Sequence, residues 1–161
     1  MSTTLIDRVI DCVSEASGLY HRLVLVVGPA QSGKTTALRE AAKVQGWAFT
    51  NLNLQLSERL LELTKRQRAV SVSNLVEDLL RSEGNQVQVL DNIELLFDPD
   101  LAVDPLRLLQ GLARDRILVA AWPGSYDGST LTYAEPGHPE AKRYGQPDAL
   151  ILAAEHCAEG N

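Results

Sequence analysis

The apolar positions of this chain fall into two alternating rhythms. Leu5, Ile6, Val9, Ile10, Val13 and Ala16 recur at helical spacing. They predict a first helix over 4–17, capped by Thr3 or Thr4 and ended at Gly18. Residues 23–27 (LVLVV) form an unbroken apolar, largely β-branched run, as expected of a strand buried on both faces. Gly28 breaks it. A helix follows over 35–44, stopping at Gly46, and then a strand over 47–52. Residues 57–67 read as helix, with Leu60, Leu61 and Leu63 on or near one face and Glu62 and Arg66 spaced for an ion pair. Ser73 is the expected cap of another helix over 74–81, closed by Gly84. A third strand is expected over 86–90. Pro105 suits the first turn of a helix reaching Ala113. A fourth strand over 117–122 ends at Pro123-Gly124. Residues 124–148 are rich in Pro and Gly and read as a hairpin or flap, with a candidate short strand at 130–133. A last strand is expected over 149–153. Short apolar strands alternating with helices predict an α/β fold, a five-stranded, mostly parallel sheet with helices on both faces.

Composition narrows this picture without redirecting it. The 161 residues predict one domain (1–161), long enough to bury a core without staples. Hydrophobic residues make up 45% and charged residues 22%, ordinary values for a globular chain. Fifteen basic against 21 acidic residues give a net charge of −6, which argues against coating nucleic acid by bulk charge. A local basic patch, or DNA contact within a complex, stays compatible. The apolar runs fall far short of the ~20 residues of a membrane helix. The acidic residues near the N-terminus do not suit a signal peptide. Cys12 and Cys157 make neither a disulfide framework nor a zinc pattern. The expectation is a cytoplasmic chain with reduced thiols.

Chemistry enters at residues 28–35, GPAQSGKT, a complete G-x-x-x-x-G-K-[ST] between an expected strand and an expected helix. Gly28 and Gly33 permit backbone angles that side chains forbid. The loop Gly28, Pro29, Ala30, Gln31, Ser32, Gly33 then turns its amides inward as a nest for phosphate oxygens. The helix that follows adds its positive end. Lys34 reaches the terminal phosphates of ATP, the Thr35 hydroxyl completes a Mg²⁺ shell, and Thr36 faces the α-phosphate.

Such a loop needs a carboxylate at the end of a neighbouring strand, to hold Mg²⁺ through water. Asp91, closing the run VQVLD, fits that role. Many P-loop ATPases place Glu directly after this Asp as the base that polarises water. Here Asn92 stands there, able to orient a water but not to take its proton. Glu94 becomes the base if Ile93 turns the chain. Otherwise Glu94 is a solvated acid and hydrolysis is slow or absent. In the additional-strand class of P-loop proteins, the strand over 117–122 lies between the other two and carries a polar sensor at its tip. This tip reads Trp122-Pro123-Gly124, with Ser125 and Tyr126 near; Trp122 suits packing better than catalysis. Arg114, Arg116 and Arg143 are candidate fingers reaching a neighbour's nucleotide, against the alternative that cations simply suit a helix end. His21, His138 and His156 have no ligand spacing. The irregular stretch 132–144 mixes Tyr, His, Lys and Arg and suits either binding of a partner or nucleic acid, or a plain flap.

The phosphate loop, the stretch Asp91 to Phe97 (DNIELLF) and Ala121 to Gly124 (AWPG), in so short a chain, resemble the small P-loop ATPase component (BrxF) of type 3 BREX phage-defence systems. DNIELLF and AWPG carry the specificity. The resemblance spans nearly the whole chain. It implies an AAA+-like nucleotide-binding core without the C-terminal helical lid. It also implies partners: a large ATPase, a phosphatase-like protein and a DNA methyltransferase. The nucleotide role passes to Gly28, Lys34, Thr35 and Asp91.

The leading expectation is an ATP-binding, hydrolysing subunit of such a complex that self-associates on ATP, with no membrane involved. A non-hydrolysing nucleotide-dependent scaffold is the alternative favoured by Asn92. A small-molecule kinase is disfavoured, because only Lys142 and Arg143 are on hand for a lid.

Overall fold

The computed structural model describes residues 4–29, 33–83, 86–133 and 142–153. The expectations placed on Thr3, Ala30, Gln31, Ser32, Gly84, His138, His156 and Cys157 lie outside the described residues. Helix α1 (Leu5–Ala16) leads to strand β1 (Leu23–Gly28), then α2 (Lys34–Gln45), β2 (Ala48–Asn51), α3 (Leu52–Leu60), α4 (Lys65–Glu83) and β3 (Val87–Asp91). Two 3-10 turns, Glu94–Phe97 and Pro99–Leu101, precede α5 (Pro105–Leu112). Strands β4 (Ile117–Tyr126), β5 (Thr130–Tyr133), β6 (Lys142–Gly145) and β7 (Leu150–Ala153) complete the order.

The α/β expectation holds, but among the described residues the sheet has seven strands rather than five. The five expected strands are its parallel part, in the order β2-β3-β4-β1-β7. The other two, β5 and β6, extend β4 as an antiparallel arm. The residues of β6 (KRYG) carry no apolar alternation, so only the partner strand defines them. The turn between β4 and β5 forms locally. The Asp127 carboxylate accepts from the Ser129 and Thr130 amides, and Gly128 takes φ +101°.

Each parallel strand sends alternate side chains to opposite layers. Leu23, Leu25 and Val27 of β1, with Leu118, Ala120 and Trp122 of β4, join the layer built with α3, α4 and α5. Val24 and Val26, with Val119 and Ala121, join the layer of α1 and α2. This is why the strands read as continuous apolar runs. Helix α1 starts where expected, with the Thr4 hydroxyl accepting from the Asp7 amide.

The helix expected over 57–67 is a correction. The chain breaks between α3 and α4, and the helix expected over 74–81 is the second half of the 19-residue α4. Thr64 and Gln67 start that helix reciprocally: Thr64 Oγ1 accepts from the Gln67 amide and Gln67 Oε1 from the Thr64 amide. Glu62 is left in the turn before α4, off any helix shared with Arg66. Among the described residues no helix is long and apolar enough to cross a membrane.

Candidate functional site

The parallel register brings three carboxyl-terminal strand ends together. Gly28 of β1 lies beside Pro123 of β4. Leu90 of β3 pairs Ala120, which sets Asp91 next to Ala121. Ligands bind at such ends in open α/β sheets. Gly33 takes φ +90°, a conformation suited to glycine, and α2 begins at the next residue.

Of the expected site residues, Gly33, Lys34, Thr35, Thr36, Asp91, Asn92 and Glu94 line one cavity of about 310 Å³. Ala121 and Pro123 complete its wall. The Lys34 side chain is only 8% exposed. Its ammonium donates to the carbonyls of Gly28 at 2.6 Å and Pro29 at 2.8 Å. Burial pushes its pKa below the usual lysine value, while the nearby Asp91 and Glu94 carboxylates pull it back up. The cavity thus holds one desolvated cation facing two acids.

The segment after β3 decides where Glu94 points. Asn92 takes φ +55°, a left-handed conformation that asparagine tolerates better than most residues. Ile93 is fully buried, as are Leu96 and Phe97 beyond it. The chain therefore turns on Ile93 and delivers Glu94 to the cavity. There Glu94 Oε1 is buried without a hydrogen-bond partner among the described residues. A buried carboxylate oxygen left unpaired costs on the order of 1–3 kcal/mol or more. Such an atom calls for a donor that the described residues do not supply. A water supplies one. The donor set of Thr35 hydroxyl and Asp91 carboxylate suits a hard cation such as Mg²⁺.

The AWPG stretch is a joint. Ala121 and Pro123 face the cavity. Trp122 is fully buried, and its indole N–H donates to the Thr132 carbonyl at 2.9 Å. It packs edge-on to Phe97 at 5.1 Å and Tyr144 at 5.8 Å, while Phe97 stacks on Tyr133 at 3.6 Å. A Cβ at Gly124 would fall 1.8 Å from the Thr132 carbonyl oxygen, so only glycine lets β5 approach. The sequence marks this glycine as a strand end and carries no sign of the close contact. Ser125 and Tyr126 do not line the cavity. Ser125 Oγ lies 2.7 Å from Thr132 Oγ1, and the Tyr126 hydroxyl donates to the Gly128 carbonyl.

The arginines separate clearly. Arg116, one of the candidate fingers, is held in an ion pair. It is 8% exposed, with its guanidinium 2.6 Å from Glu77 and a second bond to the Leu112 carbonyl. Arg114 is exposed and lies over the Tyr20 ring at 5.4 Å, beside the amino end of β4 and so on the far side of the sheet from the cavity. Arg143 is exposed on β6, in the arm that extends from the cavity side. His21 sits 3.6 Å from Asp148 and 3.3 Å from the Gln110 carbonyl, away from the site residues.

No protein-family model matches the chain, and no curated protein does. The fold does have a counterpart. PCH-2 of C. elegans superposes over 96% of this chain with a TM-score of 0.52 at 14% identity. This chain spans 44% of PCH-2. The likeness is one of fold, a mostly parallel α/β sheet flanked by helices.

Proposed function

We propose that this chain binds ATP with Mg²⁺ and hydrolyses it, as a subunit of a larger assembly. The observation that carries the reading is Glu94: a buried carboxylate oxygen without a partner among the described residues, in the same cavity as Lys34 and Asp91. Lys34 exchanges its loop carbonyls for phosphate oxygens. Thr35 and Asp91 are the groups to hold the Mg²⁺, which when bound offsets charge on the phosphates. Glu94 accepts the proton of a water whose oxygen attacks the γ-phosphorus, as the bond from that phosphorus to the ADP oxygen breaks. Asn92, facing the same cavity, orients the water.

The AAA+-like fold and the resemblance of DNIELLF and AWPG to the small ATPase of type 3 BREX systems support the assembly. On that reading the partners are the large ATPase, the phosphatase-like protein and the methyltransferase, in the cytoplasm. Self-association on ATP would bring Arg143 of one copy toward another's nucleotide. Lys142 and Arg143, consecutive and exposed on β6, are the cations through which DNA contact would pass.

The test is nucleotide binding and phosphate release by the purified protein, alone and with DNA. Lys34→Ala is expected to abolish binding of a fluorescent ATP analogue, and Glu94→Gln to retain binding and stop turnover. Unchanged binding by Lys34→Ala overturns the site. Tight binding with no turnover by the parent, with or without DNA, establishes the non-hydrolysing scaffold instead. Sizing chromatography with and without ATP tests self-association.

A further inference from the structure

Glu94 sits on a turn that another element holds at both ends. Asn53, the second residue of α3, has a backbone N–H left over by the start of its helix. That N–H donates to the Asn92 carbonyl at 2.9 Å. The Asn53 side-chain carbonyl accepts from the Leu95 amide, also at 2.9 Å. Leu95 lies in the first turn of a 3-10 helix, so its amide is likewise without a partner inside its own element. One residue thus satisfies two otherwise orphaned groups, and the two bonds bracket Ile93 and Glu94.

The rest of the geometry makes that bracket necessary. Asn92 is left-handed at φ +55°, a conformation that costs energy and persists only when the surroundings impose it. Ile93 anchors the middle of the turn in the core. Leu96 and Phe97, buried beyond it, hold the far end of the 3-10 turn, and the Asn53 side chain fixes its start through Leu95, the residue next to Glu94. Asn51 caps α3 separately, its side chain accepting from the Leu54 amide, so Asn53 is not needed as the helix cap.

We infer that Asn53 is a positioning residue for hydrolysis, a clamp from α3 that aims Glu94 at the attacking water. The inference rests on Glu94 being the base. Asn53 touches neither nucleotide nor water in this role. It acts by restricting the backbone on either side of the acid. Orientation of a reacting group at this level governs rate far more than affinity, and a displacement of about 1 Å costs on the order of 100-fold.

The experiment compares Asn53→Ala, Asn53→Asp, Glu94→Gln and the double variant Asn53→Ala/Glu94→Gln in full-length protein, reading ATP turnover, nucleotide affinity and thermal midpoint. Asn53→Ala removes the acceptor for Leu95 and keeps the backbone bond to Asn92. Turnover is expected to fall about 10- to 100-fold while affinity moves less than about threefold. Asn53→Asp retains the acceptor and should recover most of the turnover. In the Glu94→Gln background, Asn53→Ala should add no further loss, because the group it aims is already gone. Parent-like turnover in Asn53→Ala overturns the clamp, as does affinity falling in step with turnover. Should Asn53→Ala unfold at the assay temperature, Asn53→Asp decides, and loss of turnover there overturns the inference. Unchanged turnover in Glu94→Gln overturns the base assignment itself. A silent Asn53→Ala beside an inactive Glu94→Gln rejects only the clamp.

Discussion

Replacing Gly124 with alanine adds one carbon atom where the parallel sheet joins its antiparallel arm. That carbon would lie 1.8 Å from the Thr132 carbonyl oxygen and 3.0 Å from Trp122 Nε1. Carbon–oxygen contacts close no nearer than about 3.3 Å, so β5 must retreat by roughly 1.5 Å. Retreat stretches the pairing of Gly124 with Tyr133 and of Ser125 with Thr132. It also breaks the 2.9 Å bond from the Trp122 indole to Thr132. The lost hydrogen bond is worth about 1 kcal/mol, and the overpacking about 1–3 kcal/mol. The sum is a destabilisation of about 2–4 kcal/mol. At roughly 2–4 °C per kcal/mol for a chain of this size, Tm should fall by about 5–15 °C. Gly111, in α5, is the matched control, since a Cβ there meets nothing within 4 Å. The same chemical change at Gly111 should raise stability by about 0.5–1 kcal/mol through helix propensity. Calorimetry on both variants, with Trp122 fluorescence following the arm, makes the comparison. A Gly124→Ala midpoint within about 1 °C of the parent, or a shift of the same sign in both variants, refutes the close-contact argument.

Three further outcomes follow from the packing. Glu77→Leu leaves the buried Arg116 guanidinium without its 2.6 Å partner. It should cost about 2 kcal/mol, below the roughly 3–5 of a fully buried pair because Glu77 stays a quarter exposed. The double variant Arg116→Met/Glu77→Leu should restore most of that loss in urea unfolding. Burial, and then the Asp104 carboxylate that accepts from its hydroxyl, push the Tyr144 phenol above its ordinary pKa of 10.0. The unfolded chain therefore releases that proton first, so stability is full below about pH 10 and falls as pH rises beyond it. Tyr144→Phe should flatten this alkaline slope in a pH series of Tm. Thr64→Ala removes one half of the reciprocal cap that starts α4 and should cost about 1 kcal/mol by chemical denaturation, without changing nucleotide affinity.

How much was legible depended on the range of each signal. The first helix and the five parallel strands rest on neighbours a few residues apart, and they stand close to where periodicity puts them. The break before α4 was legible too. Thr64 and Gln67 form a capping box in the sequence, but the leucines around it carry the helical rhythm across the turn and mask it. The β6 strand was not legible, because KRYG becomes a strand only by pairing with β5. Asn92 looked like a departure from the usual acid at that place; its left-handed backbone supplies a conformational reason for asparagine there.

The sequence by itself determined the G-x-x-x-x-G-K-T run between β1 and α2, the acid at the end of β3 and a sheet covered on both faces. Each of these is written in contiguous residues whose conformations depend mainly on one another. Only the tertiary structure decided what those parts face. It turned Glu94 into the cavity on a buried Ile93 and held that turn from α3 through Asn53. It took Arg116 out of the surface and paired it with Glu77 of α4. It also made Gly124 indispensable by laying the Thr132 carbonyl against it. These contacts join residues distant in sequence, and no local spacing or propensity encodes which partner a packed side chain will meet.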